Sequence, residues 1–269
     1  MNIISFLTVL LFASNVLAQT IGLTHYQPSN HEGYVLFSGI SSEQTYLIDK
    51  CGNKVHEWSS SYRPGLSVDL LPNGELLRTC AHSSPWFGSG SGKGGVLELY
   101  DWNSNITWSY QLSDSLYCQH HDATVLPNGN VILIAWASKT FSDATQAGKD
   151  PAVTAVLNDQ MVWSESIIEL QPINSDSAVI VWQWNAWDHL VQDFDNGKDN
   201  FGVVSDHPEL LNVNYVTPGP PTNPDWLHIN SIDYNPMTDE LILSSHSFGE
   251  FWIIDHSTTT SEAAGHTEI

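Results

Sequence analysis

Short apolar runs alternate with polar residues and turn residues along most of the chain. Three segments share one pattern of run, turn and run: SVDLLPNGELLRT (67–79), HDATVLPNGNVILIA (121–135) and NSIDYNPMTDELILSS (230–245). Alternation with a period of two on both sides of a Pro-Asn-Gly or Asn-Pro turn is typical of a β-hairpin. Each segment is therefore predicted to form one hairpin.

A second set of strand–turn–strand segments interleaves with the first set. These segments are YLIDKCGNKVHEW (46–58), VLELYDWNSNITWSY (96–110), IIELQPINSDSAVIVWQW (167–184) and the beginning of another, FWIIDHSTT (251–259). Two hairpins that recur about every 50 residues are typical of the four-stranded blade of a β-propeller. The pattern predicts an all-β protein, a β-propeller of four-stranded antiparallel blades. A β-sandwich would explain the strands but not the recurrence of paired hairpins.

A long insertion interrupts the repeat at about 185–226. Its end, VTPGPPTNPDW, is too rich in proline for a regular element. Asp193, Asp195 and Asp199 resemble part of a calcium loop, but Gly197 and Val204 stand where an EF-hand has oxygen ligands. We therefore expect no metal and interpret these aspartates as a solvated turn.

The first 18 residues have the pattern of a secretory signal. IISFLTVLLFA is an apolar core of signal length, and Val16-Leu17-Ala18 offers a small-residue cleavage site. The expected organisation is a signal peptide (1–18) followed by one propeller domain (19–269) in a secreted or periplasmic protein. Such a compartment permits one disulfide among Cys51, Cys80 and Cys118, and the sequence does not choose the pair.

The charge of the chain excludes some partners. The formal net charge is −22, from 30 acidic and 8 basic residues, whereas a nucleic-acid-binding protein needs a basic patch. The apolar core of the signal is too short to span a bilayer, and no longer apolar run follows it. We expect neither a nucleic-acid partner nor a membrane span.

Histidines occupy comparable places in two of the hairpins. If the loop between the last pair of strands is 235–239, Tyr234 faces Glu240 and His228 faces His246. Strand parity then places Asn230 on the same face as His228. CQHHDA places His120 and His121 just before another hairpin, so imidazoles from two blades can meet in one site. The sequence leaves open which of His120 and His121 faces that site.

Two other catalytic arrangements have little support in the sequence. There is no Gly-x-Ser-x-Gly elbow for a serine hydrolase. GSGSGKGG (88–95) suggests a phosphate loop, but it precedes a predicted strand rather than a helix. We interpret it as a connection between strands.

Four segments together resemble the arylsulfotransferase family of exported bacterial six-bladed propellers. They are DWLHINSIDYNPMTDELILSS, HHDATVLPNGNVILIAW, WDHLVQDFD and TYLIDKCGNKVHEW, and the first is the most specific. The resemblance implies transfer of a sulfuryl group from a phenolic sulfate to a phenol through a histidine, with no cofactor. It also implies that His228 and His121, or His120 in place of His121, are catalytic. Asn230 and His246 are implied to bind the substrate.

The chain departs from the family pattern in two respects. The motif ends in Ser244-Ser245-His246, where the family has arginine, so sulfate binding is expected to be weaker or pH-dependent. The family's nucleophilic histidine is expected in a later blade, beyond residue 269. We therefore expect a truncated propeller of about four of six blades that self-associates through its open edge. The alternative function is a non-catalytic propeller module that binds sulfated or aromatic ligands.

Overall fold

The structure, a computed structural model, describes residue 27 and residues 32–88, 92–154, 161–215 and 224–265 of the 269-residue chain. The predicted signal peptide, 1–18, lies outside the described residues. The described chain is built from β-strands, with short α-helices at Phe141–Gln146 (α1) and Thr260–Ala263 (α2). The all-β class is confirmed. In the described part of the chain, no helix is long and apolar enough to cross a membrane.

Antiparallel sheets of three or four strands follow one another along the described chain, and in each sheet neighbouring strands are consecutive in sequence. The first sheet contains β1 (Tyr34–Ser38), β2 (Gln44–Asp49) and β3 (Lys54–Ser59). The second contains β4 (Arg63–Leu70), β5 (Leu76–Ala81), β6 (Gly95–Tyr100) and β7 (Ile106–Gln111). The third contains β8 (Tyr117–Val125), β9 (Val131–Thr140), β10 (Met161–Asn174) and β11 (Ser177–Asn185). After the short parallel pair β12 (Leu190–Val191) and β13 (Leu211–Asn212), the fourth contains β14 (Ile229–Asn235), β15 (Glu240–Ser245) and β16 (Glu250–Asp255).

The hairpins predicted from the apolar pattern are confirmed. β4 pairs with β5, β8 with β9, and β14 with β15, all antiparallel. The two Pro-Asn-Gly turns end in Gly74 and Gly129, both with φ of +87°. That left-handed conformation is readily available only to glycine, which explains the turn composition.

The central strand β9 has a near-continuous apolar sequence because both of its faces are covered. Ile132 and Ile134 pack in the core shared with the fourth sheet. Val131, Leu133 and Ala135, on the opposite face, pack in the core shared with the second sheet. Alternation along one strand therefore joins three successive sheets.

The first strands of the sheets lie side by side, since β1 contacts β4, β4 contacts β8, and β8 contacts β14. The described residues do not close into a ring. The fourth sheet has three described strands, and its last strand, β16, exposes 74% of Phe251 and 58% of Ile253. Self-association through this edge stays a prediction.

The segment between β11 and β14, predicted as an insertion, contains β12, β13 and the 3-10 helices Ala186–Asp188 and Val204–Asp206. Lys149 anchors it, because its Nζ donates to the Val213 carbonyl at 2.7 Å and lies 4.3 Å from the centre of the Trp226 ring. Burial lowers the pKa of Lys149 to about 8.

The disulfide that the sequence permitted is not formed. Cys51 is exposed, Cys80 and Cys118 are buried, and all three are free. Burial raises the pKa of the Cys80 and Cys118 thiols. Both therefore stay protonated and behave as core residues.

An ion-pair cluster at the turn end of the sheets joins the third sheet to the fourth. His256 contacts Asp239 through Nδ1 at 2.8 Å and Glu169 through Nε2 at 3.1 Å. The hydrogen bond to Glu169 raises the pKa of His256, despite partial burial. The pKa of Glu169 is lowered by hydrogen bonds from His256 and Asn130, against the opposing effect of burial.

We predict that His256→Gln lowers the free energy of unfolding by about 1–2 kcal/mol, as expected for hydrogen bonds between charged groups. Because the pKa of His256 is raised, its contribution is complete below pH 6.5 and is lost as pH rises through the folded value. Because the pKa of Glu169 is lowered, its contribution is lost as pH falls below 4.5. Urea unfolding across this range should show the largest difference between variant and unmodified protein from pH 4.5 to 6.5.

His207→Gln is the matched control, because His207 contacts Glu209 at 2.9 Å but its side chain is 43% exposed. An exposed pair should change stability by less than about 0.5 kcal/mol. Equal losses in the two variants would contradict the assignment.

Candidate functional site

Two backbone kinks place the central histidines. His121 has φ of +49° and His228 has φ of +50°, both in the left-handed region. His121 lies in the interruption of strand pairing between Gln119 and Ala123 in β8, and His228 lies immediately before the first residue of β14. Such backbone is costly for a residue other than glycine and is concentrated at functional sites.

His228 and His246 are paired across the hairpin as predicted, but the register of the two strands differs from the predicted register. Asn235 faces Glu240, so the loop is the four residues 236–239, and the predicted pairing of Tyr234 with Glu240 is wrong. The bulge after Ile229 shifts the register back by one residue. As a result the His246 amide donates to the His228 carbonyl at 3.0 Å, and the two histidines are cross-strand neighbours.

Four imidazole rings form a row from the core to the surface. Their centroids are 5.2 Å apart from His120 to His121, 4.9 Å from His121 to His228, and 5.3 Å from His228 to His246. His120 is completely buried, His121 is 9% exposed, the His228 side chain is 19% exposed, and His246 is exposed. Solvent exposure therefore increases along the row from His120 to His246.

The same bulge interrupts the strand alternation that predicted Asn230 on the face of His228. Ile229 and Ile232 both lie in the hydrophobic core, although strict alternation would place them on opposite faces. His228, Asn230 and Ile232 therefore do not share one face. The substrate-binding role of Asn230 stays a prediction.

Two carboxyl groups, one from Glu165 and one from Asp225, support the row. Glu165, in β10, contacts His120 Nε2 through Oε2 at 2.7 Å. Asp225 accepts from His228 twice, from the backbone amide at 3.0 Å and from Nδ1 at 2.6 Å. Asp225 is held beside β10 by a bridge to Trp163 and by the hydrogen bond from the Trp163 amide to the Pro224 carbonyl, 3.0 Å long.

The sequence positions of Glu165 and Asp225 each indicate a functional carboxyl group. Glu165 is one of two acids in the strand-forming run MVWSESIIEL, and Asp225 lies three residues before His228. A charged residue inside a buried strand needs a partner, so its position in a core-forming run points to a polar network.

The environment separates the charge states of the two central imidazoles. Burial, with the positive charge of His228 as a smaller effect, lowers the pKa of His121 to about 4. The hydrogen bond to Asp225 raises the pKa of His228 against the effect of burial. At neutral pH the site therefore presents an uncharged imidazole beside one that favours the charged form.

A glycine allows the His121 ring to lie where it does. Gly92 has φ of +79°, and its carbonyl accepts from the His121 amide at 2.7 Å. A Cβ atom on Gly92 would lie 2.1 Å from His121 Cε1. Of the segment interpreted as a connection between strands, residues 89–91 lie outside the described residues, and its last residue begins β6.

Among the described residues, no group of three histidine, cysteine, aspartate or glutamate side chains is arranged to hold a metal ion. Asp195, in the segment with partial resemblance to a calcium loop, accepts a hydrogen bond from the Gly197 amide at 2.8 Å. A hydrogen bond from a backbone amide to an aspartate side chain two residues earlier is typical of a turn.

The fold and the site define an all-β protein with a histidine-rich site where two antiparallel sheets meet. A sequence model of the arylsulfotransferase (ASST) family matches residues 24–259. The chain belongs to this family. The resemblance that the four motifs carried is thereby confirmed.

Comparison with solved structures gives distant similarities. Hydrazine synthase of Kuenenia stuttgartiensis is 15% identical, with a TM-score of 0.47 over 88% of this chain and 55% of that chain. A protein of unknown function from Bacteroides caccae is 12% identical, with a TM-score of 0.38 over 85% of this chain and 60% of that chain. The chain thus spans less than two thirds of each. No curated protein matches it.

We predict that Gly92→Ala displaces the His121 ring and weakens binding of phenyl sulfate by at least about tenfold, because a 1.4 kcal/mol loss corresponds to that factor. Calorimetric titration measures the affinity. Gly129→Ala is the matched control, since Gly129 has φ of +87° but an added Cβ meets nothing within 4 Å. Both variants should lose similar stability from backbone strain, and equal loss of affinity would contradict the role of Gly92.

Proposed function

We propose that this chain is an arylsulfotransferase that moves a sulfuryl group from a phenolic sulfate to a phenol, without a nucleotide donor. One observation carries the proposal. Two imidazoles from adjacent sheets, His121 and His228, lie 4.9 Å apart, and their pKa values are shifted in opposite directions. Such a pair supplies a nucleophile and an acid in one site, and family membership supplies the substrate class.

In the first step, His121 Nε2 attacks the sulfur of the donor. The nitrogen–sulfur bond forms as the bond from sulfur to the phenolic oxygen breaks. His228, held by Asp225, gives a proton from Nε2 to the departing phenolate. His121 is assigned the attack because its lowered pKa keeps it uncharged at neutral pH, although the family resemblance implied a nucleophile in a later blade.

In the second step, the acceptor phenol attacks the sulfur and gives its proton to His228 Nε2. The oxygen–sulfur bond forms and the nitrogen–sulfur bond breaks, which restores both histidines. His228 thus acts first as an acid and then as a base, for which a pKa near the working pH is best suited. His246 and Asn230 are proposed to bind the sulfate oxygens. His120 is proposed to act through its contact with His121.

The proposed fold is an incomplete β-propeller, with the four sheets as successive blades. The side-by-side arrangement of β1, β4, β8 and β14 supports it, because the first strand of each propeller blade lies innermost. The proposed location is extracytoplasmic, which the apolar segment at 1–18 supports.

Turnover distinguishes the enzyme from a binding module. With para-nitrophenyl sulfate as donor and phenol as acceptor, we expect ping-pong kinetics and a sulfuryl group on the peptide that contains His121 in mass spectrometry. His121→Gln should abolish labelling, while His207→Gln, a surface change, should leave it intact. Binding of phenyl sulfate without transfer or labelling would instead support the non-catalytic module.

Anion binding should depend on pH through His228. Because its pKa is raised by Asp225, His228 is charged below pH 6.5, and the affinity for phenyl sulfate should fall as pH rises through its folded value. His246→Arg adds a permanent cation beside it and should strengthen binding roughly tenfold at alkaline pH. Calorimetric titrations of both proteins measure this, and equal affinity of the unmodified protein from acidic to alkaline pH would refute the assignment.

A further inference from the structure

We propose that Glu165 is a positioning residue that fixes the tautomer of His121, so that the nitrogen facing the substrate carries a lone pair. Glu165 acts through His120, because the Glu165 carboxyl group accepts a hydrogen bond from the His120 ring. This inference deepens the proposed function, since an imidazole whose outward nitrogen is protonated cannot attack sulfur.

Glu165 is completely buried, and each of its oxygens has a partner. Oε1 accepts from the Ile229 amide at 3.2 Å, and Oε2 contacts His120 Nε2 at 2.7 Å. Burial, with the neighbouring Asp225 carboxylate as a smaller effect, raises the pKa of Glu165. These contacts join β10 to both histidine-bearing segments.

The geometry assigns one proton to the pair of carboxyl groups. Asp225 accepts from the amide and from Nδ1 of His228, so it is the ionised member. A second buried carboxyl group beside an ionised carboxylate keeps its proton, so Glu165 is the protonated member and its proton is directed to Asp225. Burial raises the pKa of Glu165 and lowers that of His120, in agreement with both groups being uncharged.

The positions of the remaining protons follow from donor counting. With its proton directed to Asp225, Glu165 accepts from His120 Nε2–H through Oε2. An uncharged imidazole has one N–H, so His120 Nδ1 is an acceptor. It lies 2.9 Å from His121 Nδ1, which must therefore be the donor. The single proton of His121 is thus on Nδ1, and Nε2 is free to attack.

The first test is made on the unmodified protein labelled with ¹⁵N-histidine. Long-range ¹H–¹⁵N correlation spectra distinguish the two tautomers of an uncharged imidazole. At neutral pH His121 should show a protonated Nδ1 and an unprotonated Nε2, and His120 the opposite. A protonated Nε2 on His121 would overturn the proposal without any mutation.

The second test is Glu165→Gln. The Ile229 amide requires an acceptor, so the new amide oxygen takes the place of Oε1 and the amide nitrogen that of Oε2. The nitrogen then donates to His120, which reverses the chain and moves the His121 proton to Nε2. We expect the tautomer signals to exchange and transfer activity to fall by at least about a hundredfold.

Glu169→Gln is the matched control, because Glu169 lies on the same strand but contacts His256. It should change the His256 signals and leave those of His121 unaltered. Unchanged His121 signals in folded Glu165→Gln would overturn the proposal. If His121 shows the expected tautomer but no sulfuryl transfer occurs, the proposed function fails and the positioning role stands.

Discussion

The hydrogen bonds of Glu165 hold the histidine row together. They reach His120 in the third sheet and the Ile229 amide in the fourth, across 45 and 64 residues of sequence. A buried carboxyl group is costly unless it is fully hydrogen-bonded. The cost makes the arrangement specific, because any displacement of the two sheets leaves a polar group without its partner.

The apolar cores and this polar network act together. β9 packs against the sheets on both sides, which fixes β8 and β14 as neighbours. The backbone kinks at His121 and His228 then turn the two imidazoles toward each other. Packing sets the distance between sheets, and the network sets the orientation of the rings.

The hairpins were predictable because alternation and turn chemistry are local properties. The pairing of His228 with His246 was also predicted, although a shorter loop and a bulge that compensates for it produce the pairing. Counting by parity cannot detect a bulge, so the face that Asn230 occupies stays a prediction. Glu165 was missed since its role depends on contacts with segments 45 and 64 residues away, whereas Asp225 contacts His228, only three residues along the chain. The family resemblance added the substrate class, which no local pattern contains.

The 4.9 Å contact between His121 and His228 crosses the boundary between two sheets. The fourth sheet, like the first, has three described strands and lies at one end of the row of sheets, so it has less support from neighbours than the second and third sheets. Fraying there would separate the two imidazoles before the rest of the fold opens, since proteins open in cooperative units of unequal stability. Amide hydrogen exchange of the last hairpin therefore reports directly on the lifetime of the assembled site.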